Sequence, residues 1–208
     1  MTIITAVFVS LVSAAALATR ERIEQNEQTA TQREIVKITG LWDSRRYDSV
    51  RDVPADEIIA IYSERIQGPI EKQGLTLFYA ANEMNDIVSI VFPISGMGFW
   101  GPIHGYVAVH PDTKKIQGIT FDRQEETPGL GGEIVKPWFQ EQFAGKTIHP
   151  PEEGKPVIEL VKNATSKSPN QVDAITGASR TSYAVQNILD NGIRLFFESG
   201  GFVPPEGR

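Results

Sequence analysis

Four hydroxyl side chains crowd one short stretch of this 208-residue chain. In Asp173-Ala-Ile-Thr-Gly-Ala-Ser-Arg-Thr-Ser182 they are Thr176, Ser179, Thr181 and Ser182, set beside Gly177 and followed at once by an amphipathic segment. A helix starting here offers free N–H groups and the positive end of its dipole, which together make an anion site. Gly177 permits close backbone approach, and Arg180 adds a cation. A phosphate suits these donors. Plain capping of the helix by Ser or Thr accounts for the same residues, and the local pattern leaves both open.

Two further segments can take part in binding. Glu126-Thr-Pro-Gly-Leu-Gly-Gly-Glu133 places Pro128-Gly129 at the centre of a type II turn. Its three glycines leave backbone against which a flat ligand can lie, although an ordinary turn explains them too. Nothing in the sequence fixes the separation of Glu126 and Glu133, so no acid–base role follows from them. Gly98-Phe-Trp-Gly-Pro-Ile103 sets aromatics between glycines, either as the wall of a ring-binding pocket or as core and turn.

Composition excludes much other chemistry. The chain has no cysteine, which removes disulfides, thiolate zinc sites, iron–sulfur clusters and thiol catalysis. His104, His110 and His149 never fall at metal-ligand spacing. With 20 basic and 26 acidic residues the formal charge is −6, the wrong sign for a nucleic-acid footprint. Hydrophobic residues at 40% and charged residues at 22% are those of a folded domain rather than a disordered one.

The elements that must position these segments follow from periodicity. Ile3 to Ala18 is apolar apart from Thr5, Ser10 and Ser13. As a helix it spans about 24 Å, slightly short of a bilayer core of roughly 30 Å, and Thr2 and Thr19 bring it near the lower limit for crossing. A cleaved signal ending at Ala16-Leu17-Ala18 and a buried core helix are the alternatives. No basic residue precedes the run and it is apolar on every face, so an anchor is expected. Arg20 and Arg22 would by themselves hold the following chain in the cytoplasm, but Glu21 and Glu24 sit among them. Residues 20–38 read as a solvated helix or stalk that Gly40 ends, and Pro54 to Ile66 as a short helix broken by Gly68-Pro69. Period-two patterning predicts strands at Leu75–Tyr79, Asp86–Ile94, Ile103–His110 and Ile116–Phe121, the last two joined by a turn at Pro111-Asp112. Residues 122–133 read as loop, Ile134–Phe143 as a short helix, Val157–Val161 as a strand and 162–172 as polar loop. Ser179–Phe197 is the clearest helix, with Val185, Ile188, Leu189 and Ile193 on one face. The order implies an α+β domain around an antiparallel sheet with flanking helices, preceded by one N-terminal transmembrane helix. The expected division is 1–30 as anchor and stalk and 31–208 as the domain.

Taken together, GFWGPIHGYVAV, GITFDRQEETPGLGGEI and DAITGASRTS, in that order and ahead of a helix, resemble the FMN-binding domain family. The similarity is greatest to the C-subunit family of sodium-translocating NADH:quinone reductases, then to the G-subunit family of Rnf electron-transport complexes. It covers about residues 75–198 and extends to the single N-terminal membrane helix. The chain is shorter than that C-subunit family between the anchor and residue 90.

The resemblance implies a flavoprotein that carries FMN on a side-chain hydroxyl as a phosphoester, made by a separate flavin transferase. Ser179 fills the position that takes the flavin, and Asp173, Thr176, Gly177 and Ala178 fill the rest of the motif. The family text is usually S-G-A-T, where this chain has T-G-A-S. The resemblance also places Glu126, Thr127, Gly129 and Leu130 along the isoalloxazine, with Trp100 as a neighbour. It implies electron transfer within a respiratory complex of Nqr or Rnf type, with other membrane subunits as partners and no complete active site in this chain. The flavin domain is expected on the periplasmic or outer side of the cytoplasmic membrane. The alternative is a free-standing FMN-binding electron carrier outside any ion pump, with FMN held non-covalently.

Overall fold

The computed structural model describes residues 2–152, 154–162 and 170–203. Within its first helix the side chains of residues 2–4, 6, 7, 10, 11, 14–16 and 21 lie outside the description. The chain forms α1 (Thr2–Thr39), α2 (Ala55–Arg65), strands β1 (Ile66–Lys72), β2 (Leu75–Ala81), β3 (Ile87–Met97), β4 (Pro102–Val109) and β5 (Ile116–Arg123), then α3 (Pro137–Gln140), β6 (Glu159–Val161), β7 (Gln171–Asp173) and α4 (Ser179–Glu198). The first five strands make one antiparallel sheet in the order β1-β2-β3-β4-β5, so each strand pairs with its neighbour in sequence. β6 and β7 form a separate parallel pair. The expected α+β class and antiparallel sheet are therefore what the chain builds.

Alternation along each strand gives the sheet two apolar faces. Leu77 and Tyr79 of β2 and Ile90, Phe92 and Ile94 of β3 pack with Val185, Ile188, Leu189, Ile193 and Phe196 of α4. Phe78, Ala80, Val91 and Ala108 point the other way, onto Ile35, Val36 and Ile38 of α1 and Ile58 of α2. Two glycines allow these layers to approach closely. A Cβ on Gly192 would stand 2.5 Å from Ile94 Cγ2, and one on Gly118 would stand 2.9 Å from Ile38 Cβ.

Residues 20–38 are thus not wholly solvated: Ile35, Val36 and Ile38 are buried because the last turns of α1 cover the sheet. α1 continues unbroken through residue 30 and ends before Gly40, whose φ is +68°. Among the described residues no helix is long and apolar enough to cross a membrane. The segment on which the transmembrane helix is expected falls in large part on side chains outside the description.

The direction of α1 is fixed by its contacts with β5. Ile38 rests on Gly118, the Thr120 hydroxyl donates to Glu34, and Arg123 reaches Glu27 at 4.0 Å. The helix runs antiparallel to β5. Its N-terminal half leaves the sheet at the end where the loops after β3 and β5 begin.

Other differences from the expected elements are local. α2 ends at Arg65, before Gly68-Pro69, and the chain passes through that pair as the edge strand β1. A proline is tolerated on an edge because it owes no N–H to a neighbour, and the pairing slips between Gln67 and Ile70. The helix expected over Ile134–Phe143 is instead two 3-10 turns, Gly131–Val135 and Glu141–Phe143, with α3 between them starting at Pro137. Val157 and Ile158 precede β6 rather than belonging to it, and the loop expected over 162–172 contains β7; its residues 163–169 lie outside the description.

Asp190 of α4 fastens the Val157–Ile158 segment by accepting the Val157 N–H at 2.7 Å. Burial holds this carboxyl above its ordinary value of 3.8, against the opposite pull of the Val157 and Ile158 N–H groups. A raised folded-state pKa means that the native state binds the proton more tightly than the unfolded chain. Asp190 therefore supports the fold fully below about pH 3.8 and loses that support as pH rises through its raised pKa. Asp190→Asn is expected to gain stability relative to the wild type between pH 3.5 and 7, measured by urea midpoints. Parallel curves for the two proteins would refute this.

Candidate functional site

The loops after β3 and β5 and the start of α4 come together at one end of the sheet. They enclose a cavity of about 330 Å³ lined by Phe99, Trp100, Glu126, Thr127, Leu130 and Gly131 on one side and Gly177–Thr181 on the other. The loop after β5 takes the turn its sequence predicts. Leu130 N–H donates to Thr127 O at 3.1 Å, and Gly129 sits at φ +75°. The loop after β3 closes by a Gly98 N–H bond to Gly101 O at 2.8 Å. The Phe99 and Trp100 rings lie 4.9 Å apart, and the Arg180 guanidinium stands 5.0 Å over Phe99.

The helix start resolves the choice left open by the sequence. The N-cap of α4 is Ala178, and no side chain caps the helix. Thr181 donates its hydroxyl to Glu126 Oε2 at 2.5 Å. Ser182 donates to Ala178 O at 3.0 Å and accepts the Ile175 N–H at 3.1 Å. Ser179 is exposed, and among the described residues nothing engages its hydroxyl. The hydroxyl cluster therefore does not cap α4. The first turn of α4 is left without a side-chain cap, and Ser179 lies beside it on the cavity wall.

A larger groove of about 430 Å³ lies between α1 and β5, lined by Arg33, Lys37 and Arg51 together with Glu27, Glu34 and Asp122. Its charges are of both signs and partly paired, Lys37 with Glu34 at 3.4 Å and Arg123 with Glu27 at 4.0 Å. It offers neither an aromatic wall nor a glycine-opened helix end.

Residues 98–194 match the FMN-binding domain family. The C subunit of the Na(+)-translocating NADH-quinone reductase from Neisseria meningitidis serogroup A is 34% identical over 190 residues, 88% of this chain and 69% of that relative. The chain belongs to this FMN-binding family of C subunits. The corresponding C subunit from Vibrio alginolyticus is 34% identical over 138 residues, which cover 65% of this chain and 54% of the relative. Of several such relatives the matched part is only about half the length. The crystal structure of the C subunit from Parabacteroides distasonis superposes with a TM-score of 0.68 at 26% identity, covering 90% of this chain and 98% of that one. Shewanella oneidensis NqrC, at 20% identity and a TM-score of 0.67, shares the fold.

Every residue lining the cavity falls inside the segment that carries the family match. Of the site residues expected from the sequence, the fold brings Trp100, Glu126, Thr127, Leu130, Gly177, Ala178 and Ser179 to the cavity wall. Gly129, Thr176 and Asp173 are not on it. Gly129 shapes the turn, Thr176 is exposed one residue before Gly177, and Asp173 lies in β7, where its N–H donates to Gln142 Oε1 at 2.6 Å. Glu133 is not paired with Glu126; it accepts from Trp138 Nε1 at 3.2 Å. Phe99, Gly131 and Thr181 join the wall although the resemblance gives none of them a place at the flavin. All three lie inside the motif segments, but nothing in a single sequence says which way a loop residue faces.

The residues present fit an FMN molecule. An uncapped helix N-terminus and Arg180 suit its phosphate. Phe99, Trp100 and Leu130 offer apolar surface beside the exposed backbone of Gly177, which suits a flat ring.

Proposed function

We propose that this chain is a membrane-anchored flavoprotein that carries FMN as a phosphoester on Ser179 and passes electrons within a respiratory complex of the Na(+)-translocating NADH-quinone reductase type. The observation that carries the proposal is the unengaged Ser179 hydroxyl at the uncapped start of α4, on the wall of an aromatic cavity. The N–H groups of the first turn of α4 and the Arg180 guanidinium receive the phosphate charge. Phe99, Trp100 and Leu130 flank the ring, and Gly177 lets it lie close to the backbone. Bound FMN supplies reversible uptake and release of electrons at its ring, while the protein orients it and tunes its potential. No acid or base from this chain is required, in keeping with Glu126 and Glu133 both being engaged elsewhere.

The anchor belongs to the same proposal. It rests on the apolar run Ile3–Ala18 and on an α1 helix that continues from there onto the sheet. In this reading residues 1–30 are anchor and stalk and 31–208 form the flavin domain, outside the cytoplasmic membrane. Because the N-terminal half of α1 and the cavity leave the sheet at the same end, the flavin would face the membrane, within reach of other membrane subunits. A flavin transferase makes the ester during maturation: the Ser179 oxygen takes the flavin phosphoryl from a flavin dinucleotide, the pyrophosphate bond breaks, and the nucleoside monophosphate leaves with the hydroxyl proton.

Coexpression with a flavin transferase, followed by intact-mass analysis and gentle detergent extraction, tests each part. The expected result is one covalent FMN per chain, in the membrane fraction, with other subunits co-purifying. An unmodified mass in a yellow protein refutes the ester and leaves a non-covalent site. A colourless protein refutes the flavin, and recovery of this chain alone favours a free-standing carrier.

A further inference from the structure

Three segments far apart in the sequence meet at one carboxylate. Glu126 is only 4% exposed. Its Oε1 accepts the backbone N–H groups of Phe99 at 2.7 Å and Trp100 at 3.0 Å, and its Oε2 accepts the Thr181 hydroxyl at 2.5 Å. Its own N–H donates to Gln124 Oε1 at 2.6 Å. Glycines clear the space around it. A Cβ on Gly98 would stand 2.5 Å from Glu126 Oε1, and one on Gly131 would stand 2.5 Å from Oε2.

The resemblance assigns Glu126 to the isoalloxazine as a contact. The geometry gives it a different part. A buried carboxylate is stable only when donors satisfy it, and its bonds to backbone N–H and hydroxyl groups are strong. Here the donors come from the other two pieces of the site, the aromatic turn after β3 and the first turn of α4, with Glu126 itself anchored in the loop after β5. The three sequence motifs are therefore three walls held by a single side chain.

We propose that Glu126 is the positioning residue of this site, acting through the Phe99–Trp100 turn and Thr181 rather than by touching the ligand. It sets the width of the slot between the aromatic wall and the start of α4. This rests on the FMN reading given above. Sites of this kind work best when held to within about 0.5 Å; Trp100 is 64% exposed, and besides Glu126 the aromatic turn has its own Gly98–Gly101 bond and the Arg180 contact to Phe99.

The test uses the full chain with Glu126→Ala, Glu126→Gln and Thr181→Val. A glutamine can keep the tie, since its amide oxygen accepts both N–H bonds and its NH₂ donates to the Thr181 oxygen. Without flavin, amide exchange at Phe99 and Trp100 is expected to speed up about tenfold or more in Glu126→Ala, while the interior of α4 stays protected. With the transferase, covalent FMN loading of Glu126→Ala should fall about tenfold or more, because misplacing a reacting group by about 1 Å is costly. Glu126→Gln should stay near the wild type in both measurements. Wild-type exchange or loading in Glu126→Ala overturns the proposal. So does a Glu126→Gln protein that fails to load although its turn stays protected, which would make the charge, not the tie, the active feature. If Glu126→Ala does not fold, Thr181→Val decides: partial loss of loading supports the tie and unchanged loading refutes it. If even the wild type takes up no FMN, the flavin reading fails, and amide exchange in the same variants still decides whether Glu126 holds the turn.

Discussion

Ser179→Ala should abolish covalent flavin and leave the fold intact. The hydroxyl is exposed and engages nothing among the described residues, so its removal breaks no hydrogen bond within them. Ser179 is the first residue of α4, where alanine is well tolerated within the helix. The backbone N–H groups of the first turn and Arg180 remain, so FMN added to the mutant should still bind reversibly. In-gel flavin fluorescence after denaturation reads the outcome. Wild type and Ser179→Thr should give a band, and Ser179→Ala none. A band that survives in Ser179→Ala would move the attachment to Thr176, the other exposed hydroxyl of the segment. Thr181 and Ser182 are buried and already hydrogen-bonded.

Phe196→Ala should be among the most destabilising single substitutions. Phe196 is fully buried near the C-terminal end of α4 and stacks on Phe92 of the central strand with centroids 4.5 Å apart. The Phe202 ring meets its edge at 4.8 Å, and Gly201 lies so close that a Cβ there would collide with the ring. Truncating such a ring removes buried area and leaves a cavity, at a cost of about 3–5 kcal/mol. For a chain of this size that is a fall in Tm of roughly 6–20 °C. Urea and thermal unfolding measure it. A loss below about 1 kcal/mol would mean that the Phe92 and Phe202 rings collapse into the gap. Because α4 carries Ser179 at its other end, any protein that remains folded should also report, through its flavin loading, whether the helix keeps its place.

Much of the fold is legible from periodicity alone. Period-two runs mark β2 through β5, and the Val185–Ile193 stripe marks α4, because each buries a face against a layer and must be patterned to do so. The elements that escape are those without a pattern of their own. β1 is an edge strand carrying Gly68-Pro69, and β7 spans three residues, too short for alternation to register; β6 lies within the strand expected over Val157–Val161 but is two residues shorter. The burial of Ile35, Val36 and Ile38 escapes because a mostly polar stretch averages as one segment, while only its last turns meet the sheet.

The site divides in the same way. Residue types are enough to exclude some chemistry: without cysteine there is no thiolate-held cluster and no attachment through sulfur, and the three histidines do not fall at ligand spacing. They are also enough to name the materials of the site, since glycines, aromatics and hydroxyls sit in compact local motifs. How the four hydroxyls are apportioned depends instead on packing. Thr181 and Ser182 are taken up by Glu126 and the backbone of Ala178, and Ser179 is left free at an uncapped helix end. The tie that Glu126 makes between the three motifs likewise exists only in the folded chain. The reason is physical: a motif is local, but a hydrogen bond across 27 or 55 residues forms only after the sheet has brought its loops to one end.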